Sequence, residues 1–220
     1  MIKKKIKGDL IIISGPSGCG KGTICKELIK NNDNLVISTS ATTRSPRNGE
    51  VDGVDYYFIT KKEFEEKIKN NEFLEFAKVH HDNYYGTLKN KVLDNINKGI
   101  DVILEIDIEG ALQINTTMPE AIFIFIMPPS MRELKKRLIK RNTETKDQII
   151  DRFKKAYQEI NAASKYNYVI INDEISSAVN KIKSIIEAEK CRVDRIEDFD
   201  LNTKEELMHE LLMDLKEYKK

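Results

Sequence analysis

Leu10-Ile11-Ile12-Ile13, then Gly15-Pro16-Ser17-Gly18-Cys19-Gly20-Lys21-Gly22-Thr23, then the helical pattern Ile24 to Ile29, is the stretch on which the reading of this chain turns. An apolar strand, a glycine-rich loop and a helix in that order read as a phosphate-binding loop. Glycines let the backbone pass close to a polyphosphate with its N–H groups turned inward, and the following helix points its positive end at the anion. Lys21 is spaced to reach the β and γ phosphates, so a nucleoside triphosphate is the implied ligand of Gly15 through Thr23. A plain glycine-rich turn is the competing reading, but both outer glycines, the lysine and the flanking elements match together. One departure stands out: the residue after Lys21 is Gly22, where the strict motif has Ser or Thr. The hydroxyl comes one position later, so Thr23 is the candidate Mg²⁺ contact, and which loop oxygen meets the ion is left open.

Around this loop the chain is long enough, at 220 residues, for one α/β domain with small inserted lobes. Lys plus Arg (37) nearly cancels Asp plus Glu (36), which argues against a generally basic nucleic-acid binder. The longest apolar run, Ala121 to Pro129, is too short to span a bilayer. The basic start Met1-Ile2-Lys3-Lys4-Lys5 is followed by no signal-type hydrophobic region, and the expected location is the cytoplasm, with no membrane partner. Cys19, Cys25 and Cys191 form no C-x-x-C pair and suggest neither a disulfide framework nor a zinc site. Cys19, near a helix N-terminus, reads either as an activated thiol or as an inert small loop residue. His80 and His81 are adjacent and His209 stands alone, a poor set of metal ligands.

Strand-like runs at Leu10–Ile13, Leu35–Ser38, Val102–Ile106, Ala121–Met127 and Tyr168–Ile171 alternate with helical patterns. They are nearly continuous in apolar residues, as strands covered on both faces are, and predict a parallel sheet flanked by helices. Capping-box spacings Thr60-x-x-Glu63, Ser130-x-x-Glu133, Thr145-x-x-Gln148 and Thr203-x-x-Glu206 mark helix starts, and Gly99 ends a helix from about Leu88. Two segments interrupt the alternation. Residues 39–90 read as a small inserted α+β lobe, with strand pieces Asp55–Ile59 and Phe73–Val79 around a helix Lys61–Asn70. Residues 128–165 read as a helical lid, two helices joined by the polar turn Asn142-Thr143-Glu144-Thr145. Residues 1–190 thus form the main domain and 191–220 a helical extension.

In the inserted lobe, Ser40-Ala41-Thr42-Thr43-Arg44-Ser45-Pro46-Arg47-Asn48-Gly49-Glu50 sets two arginines around a proline turn, followed by Asp55-Tyr56-Tyr57. Such a turn can aim two guanidinium forks at one phosphate, with a tyrosine hydroxyl as neutral donor. Taken alone, the pair also fits a solvated surface. Together with the glycine-rich loop, Asn71-Glu72-Phe73-Leu74-Glu75, Asn83-Tyr84-Tyr85-Gly86-Thr87, Glu105-Ile106-Asp107-x-x-Gly110 and Arg141-Asn142-Thr143-Glu144-Thr145, it resembles the guanylate kinase family. The likeness runs in order from about Leu10 to Ile186, and the Gly-Lys-Gly-Thr loop is similar to that of nucleoside monophosphate kinases generally.

The resemblance implies a P-loop kinase fold and transfer of the ATP γ-phosphate to GMP, with dGMP as a further acceptor, giving GDP and ADP with Mg²⁺. It implies that Arg44, Arg47, Tyr56 and Tyr85 hold the GMP phosphate, and that Ser40, Glu75, Thr87 and Asp107 recognise guanine. Base chemistry agrees: guanine presents N1–H and 2-amino donors side by side for one carboxylate, whereas adenine offers a bare N1 acceptor. It further implies catalytic roles for Lys21, Arg44 and the lid arginines Arg137, Arg141 and Arg152, and an adenine-side turn at Asn172-Asp173. Arg132, Lys135, Lys136 and Lys140 fit a solvated helix face instead. Thr87 stands where many members have Ser, and Asn142 where the family has Gly, which bears on lid geometry.

Two other readings compete. Guanylate-kinase-like scaffold domains bind peptides on the same fold, but Lys21, Arg137, Arg141 and Arg152 are all present. A different acceptor, another nucleotide or a phosphorylated sugar, keeps the enzyme but leaves Glu75 and Asp107 without a purpose. In the extension, Leu207, Met208, Leu211, Leu212 and Leu215 fall on one helical stripe that wants a partner surface, with docking on its own domain favoured over self-association. Monomer and homo-oligomer stay undecided.

Overall fold

The computed structural model describes residues 7–30, 32–79, 82–139, 146–195 and 206–213. They fall into two compact units, residues 7–184 and a second unit described over 185–195 and 206–213. In the first unit, β1 (Leu10–Ser14), α1 (Lys21–Ile29) and β2 (Leu35–Ile37) open the chain. A lobe follows, made of β3 (Ala41–Thr42), β4 (Tyr57–Phe58), α2 (Lys61–Lys69), β5 (Phe73–Val79) and β6 (Asn83–Leu88). Next come α3 (Lys89–Asn97), β7 (Asp101–Glu105), α4 (Ile108–Thr117), β8 (Ile122–Met127), α5 (Met131–Ile139), α6 (Lys146–Ile160) and β9 (Tyr168–Ile171), and α7 (Ile175–Glu189) begins in the first unit and ends in the second.

Five strands form one parallel sheet in the order β2-β7-β1-β8-β9, the architecture expected from the continuous apolar runs. Successive side chains of a strand point to opposite faces, and all of Ile11, Ile12 and Ile13 are buried, so both faces of β1 are covered. On one face Leu10 and Ile12 pack with Val102, Leu104, Ile114 and Phe123. The central position of β1 sets the glycine-rich loop at the carboxyl edge of the sheet, beside the ends of β7, β8 and β9, where open α/β sheets bind ligands.

Helix boundaries follow the local signals. The Thr60 hydroxyl accepts from the Glu63 N–H at 3.2 Å and the Glu63 carboxylate accepts from the Thr60 N–H at 2.7 Å, a complete capping box on α2. Ser130 makes half of one: it caps the Glu133 N–H, while the Glu133 carboxylate turns to Lys136 and Arg137. The spacings beginning at Thr145 and Thr203 lie outside the described residues. Gly99, at φ 81, closes α3 as expected.

The inserted lobe carries a second sheet in the order β4-β3-β6-β5, mixed rather than parallel. Phe64 of α2 is fully buried against it and stacks on Phe73 and Tyr84 with ring centroids 4.2 and 5.1 Å apart. The expected strand Asp55–Ile59 shortens to Tyr57–Phe58. Carboxylates of Asp52 and Asp55 take up the Phe58 and Val51 N–H groups and bend the chain before it. Strands β3 and β6 were not foreseen. Asn83 and Gly86 read as turn residues, yet Gly86 lies mid-strand because a Cβ there would stand 2.8 Å from the Glu75 carbonyl oxygen.

In the second unit Glu189 is buried and accepts from Arg192 at 3.1 Å and Arg195 at 3.0 Å. Helix 206–213 follows, with Leu207, Met208, Leu211, Leu212 and Met213 all more than half exposed; Leu215 lies outside the described residues.

Candidate active site

After β1 the chain turns sharply at Gly15, whose φ of 149° and 2.2 Å approach of a would-be Cβ to the Ile126 carbonyl oxygen admit no side chain. Gly20 caps α1 in the left-handed conformation. The first turn of α1 then faces an open pocket of about 420 Å³ whose walls include Ser17, Gly20, Lys21, Thr23, Lys26 and Glu105. A helix N-terminus with Lys21 and Lys26 on one wall gives the pocket the electrostatics that favour an anion. The Lys21 amine donates to the Gly15 and Pro16 carbonyls at 2.5 and 3.2 Å, so it is held against the loop.

Cys19 resolves between its two readings. Its side chain is fully buried, and burial pushes the thiol above its ordinary value although Lys21, with Nζ at 4.0 Å, pulls the other way. Burial of the thiolate favours the inert reading over the activated one.

Glu105 is a site residue that the sequence reading passed over. It ends β7, strand neighbour of β1, and its carboxyl is raised by burial while Lys21 and Lys26 draw it down. Its oxygens lie 3.4 and 3.5 Å from where a Cβ on Gly22 would stand, so the departure at Gly22 leaves the carboxylate room beside the loop. The signal was available: a charge closing the apolar run Val102-Ile103-Leu104.

In the lobe, Arg44, Tyr56 and Tyr85 meet as expected. The Arg44 guanidinium stacks over the Tyr56 ring at 5.3 Å and its Nε donates to the Tyr85 hydroxyl at 3.2 Å. Burial raises the Tyr56 phenol, which keeps it a neutral donor. Arg47, three residues on, is exposed. The bidentate carboxylate partner of Arg44, Glu50 at 2.9 Å to each terminal nitrogen, was not foreseen.

Glu75, Thr87 and Asp107 also converge. Glu75 is 7% exposed on β5 and accepts from the buried Thr87 hydroxyl of β6 at 2.6 Å. Asp107 caps α4 by accepting from the Gly110 N–H at 2.9 Å, and Gly110 itself leans on Glu75: a Cβ there would stand 2.8 Å from its carboxylate. Burial first, and the Asp107 charge second, raise the Glu75 carboxyl to about 7, with Thr87 opposing. Ser40 sits in the strand connection just before β3, its carbonyl accepting from Tyr57 N–H at 2.9 Å.

Comparison with known proteins gives one family over nearly the whole chain. The guanylate kinase family model covers residues 7–189. A guanylate kinase of Clostridium tetani is 62% identical over 208 residues, 94% of this chain and 99% of the relative. One from Caldanaerobacter subterraneus is 58% identical over 92% of this chain and 98% of its own length. The crystal structure of guanylate kinase from Anaplasma phagocytophilum superposes with a TM-score of 0.70 at 36% identity, covering 87% of this chain and 91% of that one.

The chain belongs to the guanylate kinase family.

Of the three arginines that the sequence places in a lid of this guanylate kinase fold, two are described. Arg152 of α6 donates from Nη2 to the Ser17 hydroxyl at 2.5 Å, which brings it to the glycine-rich loop. Arg137 of α5 is half-buried and donates to the Asn172 carbonyl at 3.3 Å. Arg141 lies outside the described residues, as does the turn Asn142–Thr145. Leu134 and Leu138 are buried with Ala156 and Arg132 is exposed, in keeping with the expected faces of α5. Asn172 is buried under the loop: its amide donates to the Cys19 carbonyl at 2.7 Å, while its Oδ1 has no partner among the described residues.

Proposed function

We infer that the residues gathered at the two sites divide the work of one phosphoryl transfer. The reaction itself is the ATP-dependent phosphorylation of GMP to GDP, with release of ADP. Gly15 through Thr23 hold the triphosphate, Arg44, Arg47, Tyr56 and Tyr85 the GMP phosphate, and Ser40, Glu75, Thr87 and Asp107 the guanine. The observation that carries this assignment is the buried Glu75 carboxylate with Thr87 beside it, a site shaped to accept two donors from one base edge. By the same resemblance dGMP is proposed as a further acceptor.

The attacking phosphate oxygen is already anionic at neutral pH, so no general base is required. Lys21, Arg44, Arg137, Arg141 and Arg152 orient the two phosphates and offset the charge between them. Arg152, reaching the loop at Ser17, is the contact through which α6 covers the donor and excludes water. For Mg²⁺, the Thr23 hydroxyl and the Glu105 carboxylate fit: both are oxygen donors on the wall of the loop pocket, and desolvation that raises the Glu105 carboxyl would be offset by a cation beside it. When bound there, the ion would neutralise charge on the β and γ oxygens. Cys19, Cys25 and Cys191 are all free thiols, which favours a reducing, cytoplasmic setting.

A coupled assay of ADP formation against GMP, dGMP, AMP, CMP and UMP tests the assignment. A site built to pair specific donors rejects a mismatched base by about 10⁴ to 10⁵. AMP turnover within tenfold of GMP would overturn the role given to Glu75.

A further inference from the structure

Arg44 has five N–H donors, and four are committed within the protein. Nε donates to Tyr85, one Nη1 proton goes to the Ser45 carbonyl at 2.8 Å and the other to Glu50 Oε2, and Nη2 gives one proton to Glu50 Oε1. Glu50 Oε2 also accepts from the Arg47 backbone N–H at 2.7 Å, and the Glu50 N–H returns to the Arg47 carbonyl at 3.1 Å. One carboxylate therefore ties the head group of Arg44 to the main chain of Arg47. Arg44 and Glu50 are only 15% and 19% exposed at their side chains, and Gly49, at φ 88, makes the turn that brings Glu50 back.

We propose that Glu50 is the positioning residue of the acceptor-phosphate site, fixing Arg44 and Arg47 in the relation that a single phosphate group needs. The inference rests on the reading that these arginines hold the GMP phosphate. In a planar guanidinium, Nε–H and the outer proton of Nη2 lie on the same side. Glu50 occupies the far end, so the one uncommitted proton of Arg44 points to the side where the Tyr85 hydroxyl already stands. An oxyanion arriving there meets Nη2–H and Tyr85 O–H together, with Arg47 held at the same turn. Without Glu50 the guanidinium can swing about its long stem, and its charge is no longer delivered at one place.

A rival account makes Glu50 a resident anion that competes with the phosphate for Arg44. The two differ in sign. Equilibrium binding of GMP and of guanosine, with steady-state KM for ATP, is to be measured for wild type, Glu50→Gln, Glu50→Asp, Arg44→Ala and the Arg44→Ala/Glu50→Gln pair. Positioning predicts that Glu50→Gln weakens GMP by about tenfold, the lower end of what a supporting partner is worth at a ligand site. Guanosine affinity and the KM for ATP stay unchanged, Glu50→Asp recovers part of the loss, and the double variant loses less GMP affinity than the two single losses combined. Unchanged or tighter GMP binding by Glu50→Gln overturns the proposal in favour of competition. Equal losses for GMP and guanosine overturn it in favour of a purely structural turn. If Arg44→Ala itself leaves GMP affinity intact, the acceptor-site reading is what fails.

Discussion

On the proposed assignment, burial of Glu75 turns base recognition into a pH effect. Guanine donors need the ionised carboxylate, yet the carboxyl is raised to about 7, so binding the base draws a proton off the site. Affinity should therefore climb with pH to about 7 and level above it. GMP carries its own phosphate titration near pH 6, so guanosine is the cleaner probe. Its affinity should rise about tenfold from pH 5 to pH 6 in wild type and stay flat in Glu75→Gln, measured by calorimetry. Folding feels the same shift with the opposite preference. Because the folded value lies above the unfolded value of 4.5, stability from the neutral form is full below about 4.5 and is lost as pH rises through 7. Glu75→Gln should then stabilise the free protein by about 2 kcal/mol at pH 8, and not at pH 4, in denaturant titrations, while impairing use of GMP.

Helix α5 puts its arginines on two faces with different fates. Arg137 turns toward Asn172 and the loop, whereas Arg132 is solvent-facing. Arg137→Ala should lower kcat by about 10³ with little change in GMP affinity, since its phosphate partner charge is assembled only when both nucleotides are bound. Arg132→Ala should stay within a few-fold of wild type; equal damage from both would mean the wrong face was chosen. Elements of this kind were legible because their signals are local. The buried strands β1, β7 and β8, the Thr60 capping box and the stop at Gly99 each lie within a few residues of sequence. Strands β3 and β6 were not, since Ala41 pairs with Gly86 and Thr42 with Tyr85 across more than forty residues, and Asn83 and Gly86 carry turn chemistry. Glu50 escaped for a related reason: a carboxylate after a Pro-Arg-Asn-Gly turn reads as solvated until its bidentate partner is seen.

Across the larger unit, the glycine-rich loop, proposed to hold the donor, belongs to the five-stranded sheet, and the Arg44–Tyr56–Tyr85 cluster, proposed to hold the acceptor phosphate, to the lobe of the four-stranded one. Continuous apolar runs announced a parallel sheet, but nothing in them gave the order β2-β7-β1-β8-β9, which depends on which helices cross which face. The predicted site residues carry no such order to be found: Arg44, Tyr56 and Tyr85 come together from distant segments, as do Glu75, Thr87 and Asp107. Two sites on two sheets should also fail separately. A ligand at 100 times its Kd stabilises by about 2.7 kcal/mol, enough to read as a shift in Tm. Lys21→Met should lose the shift caused by a non-hydrolysable ATP analogue and keep that caused by GMP, and Arg47→Ala should do the reverse. Loss of both shifts in Lys21→Met would join the sites into one. The thiols, finally, give the chain a chemical handle. Cys19 and Cys25 are buried and raised, and Cys191 is exposed among residues assigned to neither nucleotide. A maleimide dye should thus attach once per chain with turnover intact, marking the natural sequence at one known place without a single substitution.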